Sequence, residues 1–226
     1  MPTRRRLSLF LVLVPLFLLQ GCANGPPATP TVLGERALSE GDWRAAKTHF
    51  ARALQVDSSQ GHAWLGQARA QLMGRDSEAA LRSLSSLSKT DRRLFLSEAR
   101  SDYAEALESA TEKRLDREKT QSALTSVRAL SKLDPHRRGL ASLLGRVLVA
   151  EAERSKWAGH SEQALSFYRE ACSVDPGSLE AWVGAAEILL RMGHGREAMR
   201  LLAAARERHP TAGSIRTLSI QASSLR

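Results

Sequence analysis

Three stretches of the chain are copies of one plan. They are "GDWRAAKTHFARALQVDSS" (41–59), "GHSEQALSFYREACSVDPG" (159–177) and "GHGREAMRLLAAARERHPT" (193–211). In each a glycine opens the segment, an alanine stands at its sixth residue, a bulky residue follows four later and a second alanine three beyond that. The sets are Gly41, Ala46, Phe50, Ala53; Gly159, Ala164, Tyr168, Ala171; and Gly193, Ala198, Leu202, Ala205. Pro176 and Pro210 close the last two copies, one period of 34 residues apart. A chain built this way buries little within any one unit and must stack neighbours into a continuous core, which excludes ordinary single-core folds. Ala, Leu, Arg and Glu at helical spacing, with almost no β-branched alternation, make an all-α body the expectation.

The segments between these copies carry their own signature. "HAWLGQARAQL" (62–72) and "EAWVGAAEILL" (180–190) both place a tryptophan, Trp64 and Trp182, then Gly66 and Gly184, then Ala68 and Ala186. Leu33-Gly34 stands at the matching place in the first unit. Small residues let helices approach closely and aromatics fill the resulting gaps. Period and pattern together resemble the tetratricopeptide repeat, a helix-turn-helix unit of 34 residues. The resemblance implies a right-handed α-solenoid of about five units, near 27–60, 61–94, 104–137, 145–178 and 179–212. The organisation expected is units 1–2 over 31–94, an irregular middle unit over 95–144, units 4–5 over 145–212 and a capping helix over 213–226. The middle unit keeps Ala123, Val127, Leu130 and Asp134-Pro135, but its first helix lacks the tryptophan and glycine. Surplus residues around 95–103 and 138–144 predict lengthened helices or an irregular junction, and a distorted or divided superhelix.

The front of the chain reads as an address. Arg4, Arg5 and Arg6 precede an uncharged apolar run from Leu7 to Leu19, interrupted by Pro15. Spanning a bilayer takes about 20 apolar residues, so this shorter run is read as a secretory signal peptide over 1–21. Leu19-Gln20-Gly21-Cys22 resembles the bacterial lipobox. That resemblance implies cleavage before Cys22, lipidation of its sulfur and acylation of the new terminus, because stable anchoring takes more than one chain. Ala23 rather than aspartate follows the cysteine, so the expected destination is the outer membrane of a Gram-negative bacterium, facing the periplasm. Residues 22–30 form the lipidated terminus and a tether with three prolines. Proline-rich chain extends roughly 3 Å per residue, enough to hold the body about 25 Å from the lipid.

Cleavage leaves 205 of the 226 residues and a charge reduced from +9 to +6. Basic and acidic residues are interspersed, as on a solvated helical surface. Nucleic acid is excluded as a partner by the expected compartment and by the 5% aromatic content, too sparse for stacking platforms. With Cys22 lipidated, Cys172 is the one thiol left and is read as a buried, inert side chain, so no disulfide is expected.

No catalytic constellation is expected, and no cofactor or small-molecule substrate. "SLSK" (86–89) has serine-lysine spacing without its companion motifs, and "GHSEQ" (159–163) lacks both the final glycine and the preceding strand of a nucleophile elbow. His160 and His194 recur one period apart, but Asp42 and Asp76 fill the equivalent place in the first units. They are read as polar turn residues, with no metal site, since zinc takes three or four convergent ligands.

In tetratricopeptide arrays the first helices line a concave groove. The resemblance nominates Leu65, Arg69, Leu72 and Met73 from the second unit, Val149, Glu153, Lys156 and Trp157 from the fourth, and Val183, Glu187, Leu190 and Arg191 from the fifth. Glu105, Glu108 and Glu112 would make the third unit's share acidic. Val149 and Val183 are read as packing residues. The sole asparagine is Asn24, so a groove that clamps a terminal carboxylate through asparagines is ruled out. A mixed groove suits an amphipathic protein segment. Taken together, the chain resembles lipoproteins that assist pilus or secretion machinery, such as the pilotins. The expectation is a membrane-tethered periplasmic scaffold for protein partners in the envelope, with a regulator of peptidoglycan hydrolases or synthases as the alternative.

Overall fold

Glycine on one helix and a ring on the next produce the contact from which the fold is built. A β-carbon on Gly34 would lie 2.8 Å from the ring of Phe50, and one on Gly66 would lie 2.2 Å from it. The ring is therefore wedged between two helices where only glycine leaves room. Tyr168 repeats the wedge against Gly184, where a β-carbon would meet the ring at 2.4 Å. Both rings are fully buried, and each such burial contributes about 2–3 kcal/mol.

A computed structural model describes residues 28–224. All regular structure among them is helical. The order is α1 (Pro30–Ser39), α2 (Trp43–Val56), α3 (Gly61–Met73), α4 (Ser77–Thr90), α5 (Arg92–Leu94), a π-turn (Phe95–Ala99), α6 (Arg100–Asp116), α7 (Thr120–Leu133), α8 (Leu140–Trp157), α9 (Ser161–Val174), α10 (Leu179–Arg191), α11 (Gly195–Arg208) and α12 (Gly213–Ser224). Each main helix packs on its neighbour in sequence, and first helices also meet one another at α1–α3, α3–α6, α8–α10 and α10–α12. This is the tetratricopeptide α-solenoid. The last helix, α12, packs on α10 and α11 and buries Ile215 and Ala222 over the end of the core.

The five second helices begin at Trp43, Ser77, Thr120, Ser161 and Gly195, so the steps are 34, 43, 41 and 34 residues. The surplus lies mostly in the first helices of units three and four. α5, the π-turn and α6 run on from Arg92 to Asp116, and α8 has 18 residues where α3 and α10 have 13. Five of unit four's seven surplus residues lengthen α8, and the other two lengthen its connection from α7, six residues where α2 and α3 are joined by four. In unit three the π-turn takes up one surplus residue without advancing the buried face.

The array is not divided at this point. One cluster runs from Ala104 and Leu107 on α6 through Val127 and Leu130 on α7 to Val147 and Leu148 on α8. Leu81 and Tyr103 pack against both this cluster and the one preceding it.

The turns inside the units explain the recurrent glycines. Gly41, Gly159 and Gly193 have φ of +80°, +80° and +78°, the left-handed conformation that ends a helix. Arg75 and Glu118 hold the same position at +57° without glycine's freedom. Beside them, Asp42 caps α2 by accepting from the N–H groups of Arg44 (3.1 Å) and Ala45 (2.9 Å), and Asp76 caps α4 through Ala79 (3.1 Å). His160 and His194 stand at the same place before α9 and α11 and make no side-chain cap.

Candidate functional site

The nominated groove residues separate into two groups. Leu65 and Leu190, expected to face a partner, are core residues instead, 2% and 7% exposed. Leu65 shares a cluster with Leu94 and Ala99 of the lengthened third unit, and Leu190 shares one with Ile215 and Ala222 of α12. In each case residues of the next first-helix layer complete the cluster. Leu72 is half-buried against the Leu65 cluster. Arg69 crosses from α3 to α6, its Nε donating to Asp102 Oδ2 at 3.0 Å. Glu108 is drawn to Arg137 (2.6 Å), leaving Glu105 and Glu112 as the exposed members of the three nominated acids.

The accessible remainder gathers where α8 meets α10. Glu153 accepts from Lys156 Nζ at 2.6 Å and from the Tyr168 hydroxyl. Glu187 and Arg191, both exposed on α10, lie close enough for their charges to act on Tyr168, and Arg191 acts on Glu153 as well. Burial pushes the Glu153 carboxyl up, but hydrogen bonds from Lys156 and Tyr168, with the positive charges of Lys156 and Arg191, bring it below its ordinary value. Burial raises the Tyr168 phenol, and the adjoining carboxylate raises it further, so the hydroxyl stays protonated and donates. Trp157 ends α8 beside this charged group and is 84% exposed. Met73, ending α3 at the equivalent place, is 48% exposed. An ionic patch with an exposed indole at the end of its helix has the composition of a protein-binding surface.

Tyr168 was legible in the sequence as a wedge but not as the partner of Glu153. The signal was the hydroxyl itself: Phe50 and Leu202 occupy the equivalent places, and only the tyrosine carries a polar atom into the core that needs an acceptor. The two repeat tryptophans are structural. Trp64 donates its indole N–H to the Ser58 carbonyl at 2.9 Å and Trp182 donates to that of Pro176 at 3.0 Å, fastening each inter-unit turn. Cys172 is buried, and burial pushes its thiol up to about 12. Among the described residues no three His, Cys, Asp or Glu side chains converge as metal ligands, and no helix is long and apolar enough to cross a membrane. Cys22 and the signal segment lie outside the described residues.

Tetratricopeptide-repeat patterns match the chain at both ends, over residues 31–87 and 158–219. The chain carries tetratricopeptide repeats. Among curated proteins none matches it. Among solved structures, a tetratricopeptide-repeat protein from Bacteroides fragilis superposes with a TM-score of 0.61 at 14% identity, covering 87% of this chain and 97% of that one. At this identity the likeness is one of fold alone. A thermophilic tetratricopeptide-repeat protein from Thermus thermophilus is 25% identical over 86% of this chain and 97% of its own, with a TM-score of 0.36. Proteins of this fold commonly act as scaffolds for protein–protein contact and are typically non-catalytic.

Proposed function

We propose that the chain is a lipid-anchored scaffold at the outer membrane, facing the periplasm, whose α8–α10 surface docks a protein partner of a pilus or secretion complex. The observation that carries the docking surface is Trp157, an indole 84% exposed at the end of α8, next to Lys156 and one helical turn from Glu153. Tryptophan is the residue most enriched among side chains that dominate binding energy, and holding it in water is unfavourable unless a partner covers it. The anchoring half of the reading is supported by the signal-like segment and by Cys22 at its end.

The test is affinity capture from crosslinked envelopes with the native chain, a Cys22→Ala form and a Trp157→Glu/Arg191→Glu form of verified helicity. Loss of one envelope component with the α8–α10 double substitution supports the docking surface. That component's identity decides between pilus or secretion machinery and cell-wall enzymes. An unchanged captured set overturns it. Metabolic labelling with palmitate, present on the native chain and absent from Cys22→Ala, tests the anchor separately.

A further inference from the structure

Away from the Trp157 surface, α4, the end of α6 and the start of α7 border an open cleft of about 480 Å³. Its cations are Arg82, Lys113, Arg114, Arg117 and Lys119, and its one carboxylate is Glu78. Arg114 takes that carboxylate in a bidentate grip, Nε to Oε1 and Nη2 to Oε2 both at 2.7 Å. The charges of Arg82 and Arg117 act on it as well, and the three together hold it below its ordinary value, the Arg114 hydrogen bonds contributing most. One carboxylate cannot balance three guanidinium groups and two ammonium groups. Arg82, Arg117 and Lys119 form no ion pair of their own among the described residues. The remaining lining is suited to an anion too: Ser122 and Thr125 stand on the first turns of α7, a 14-residue helix that follows Lys119 without a side-chain cap.

We propose that this cleft binds a phosphate-bearing anion. Guanidinium forks match the oxygens of phosphate, and an uncapped helix start offers N–H groups and the positive end of the helix dipole to the same charge. A carboxylate-bearing peptide presents single charges at wider spacing and matches this tight group of cations less well. The phosphate can come from a soluble diphosphate or from an anionic lipid headgroup, and the two sources separate experimentally.

The experiment uses the full chain and measures amide hydrogen exchange over residues 113–125. One arm adds pyrophosphate to the chain in non-ionic detergent. The other compares the chain reconstituted in vesicles containing phosphatidylglycerol with the same chain in pure phosphatidylcholine, so that an anchor contributes equally to both. Slowed exchange with pyrophosphate identifies a soluble source, and slowed exchange only in the anionic vesicles identifies a headgroup. In either case Arg82→Gln/Arg117→Gln weakens the effect by about tenfold or more, since each lost contact is a charge-assisted hydrogen bond. Arg206→Gln/Arg208→Gln, with the same charge change on α11, leaves it within about twofold. No protection in either arm, equal loss in both variants, or protection by polyglutamate with none by phosphate overturns the proposal.

Discussion

Phe50 and Gly66 share a space that a single added carbon would fill: the Cζ of the ring lies 2.2 Å from where a β-carbon on Gly66 would stand. Both belong to packed helices, so neither backbone yields freely. Gly66→Ala is expected to lower stability by about 1–3 kcal/mol as an overpacked core. Phe50→Leu alone costs a similar amount by leaving a gap, but combined with Gly66→Ala it removes the atom in conflict. Urea midpoints of the two singles and the double should show a cycle far from additive. Additive losses would mean that the ring is not the obstacle.

Arg75 and Glu118 predict gains. Both sit at φ +57° where the other three units place glycine, and a non-glycine residue in that conformation costs roughly 1 kcal/mol. Arg75→Gly and Glu118→Gly should each raise the urea midpoint, by about 0.5–1 kcal/mol in stability, whereas Gly41→Ala should lower it by a similar amount.

Glu151 predicts an acid limb. This carboxylate is only 2% exposed, accepts from Thr120 across the α7–α8 contact and is held below its ordinary value of 4.5, chiefly by Arg154. A lowered carboxyl favours the folded state while it is ionised. Its contribution is therefore full above the unfolded value and disappears as pH falls through the folded one. Glu151→Gln should cost about 1 kcal/mol at neutral pH. Denaturant midpoints of the two proteins should converge well below pH 4.5, and a gap independent of pH would refute the assignment.

Cys172 should be silent toward alkylation in the native protein. With its thiol buried and raised to about 12, almost no thiolate exists at mildly alkaline pH. Iodoacetamide should modify it only in concentrated denaturant, as read by mass. Labelling of native protein would reveal local opening of α9.

Most of the architecture was legible in the sequence because its contacts are local and chemical. Ala46, Phe50 and Ala53 announce a helix face, and Gly66 announces the ring that it must admit. The middle was obscure because its surplus is made of good helix. "FLSEA" carries no mark of the π-turn that it forms, since a π-turn is a way of absorbing a residue rather than a composition. Leu65 and Leu190 were misplaced for a related reason. Whether a first-helix leucine meets water depends on how the helix beyond it packs, and neither leucine's own neighbours in sequence report that. The pairing of Glu153 with Tyr168, 15 residues apart, likewise depends on how α8 and α9 cross.

The recurrence of one wedge at two junctions also bears on how such a gene can be rearranged. Phe50 enters the notch at Gly66 and Tyr168 the notch at Gly184, and the two notches lie 118 residues apart at the same place in their helices. At both junctions the coupling has one gauge. A recombination that joined residue 60 directly to residue 179 would discard the long central helices and still present a glycine to the ring of Phe50. The reading frame of this protein thus holds, between its first and last units, a segment that can be exchanged without recutting the joint on either side.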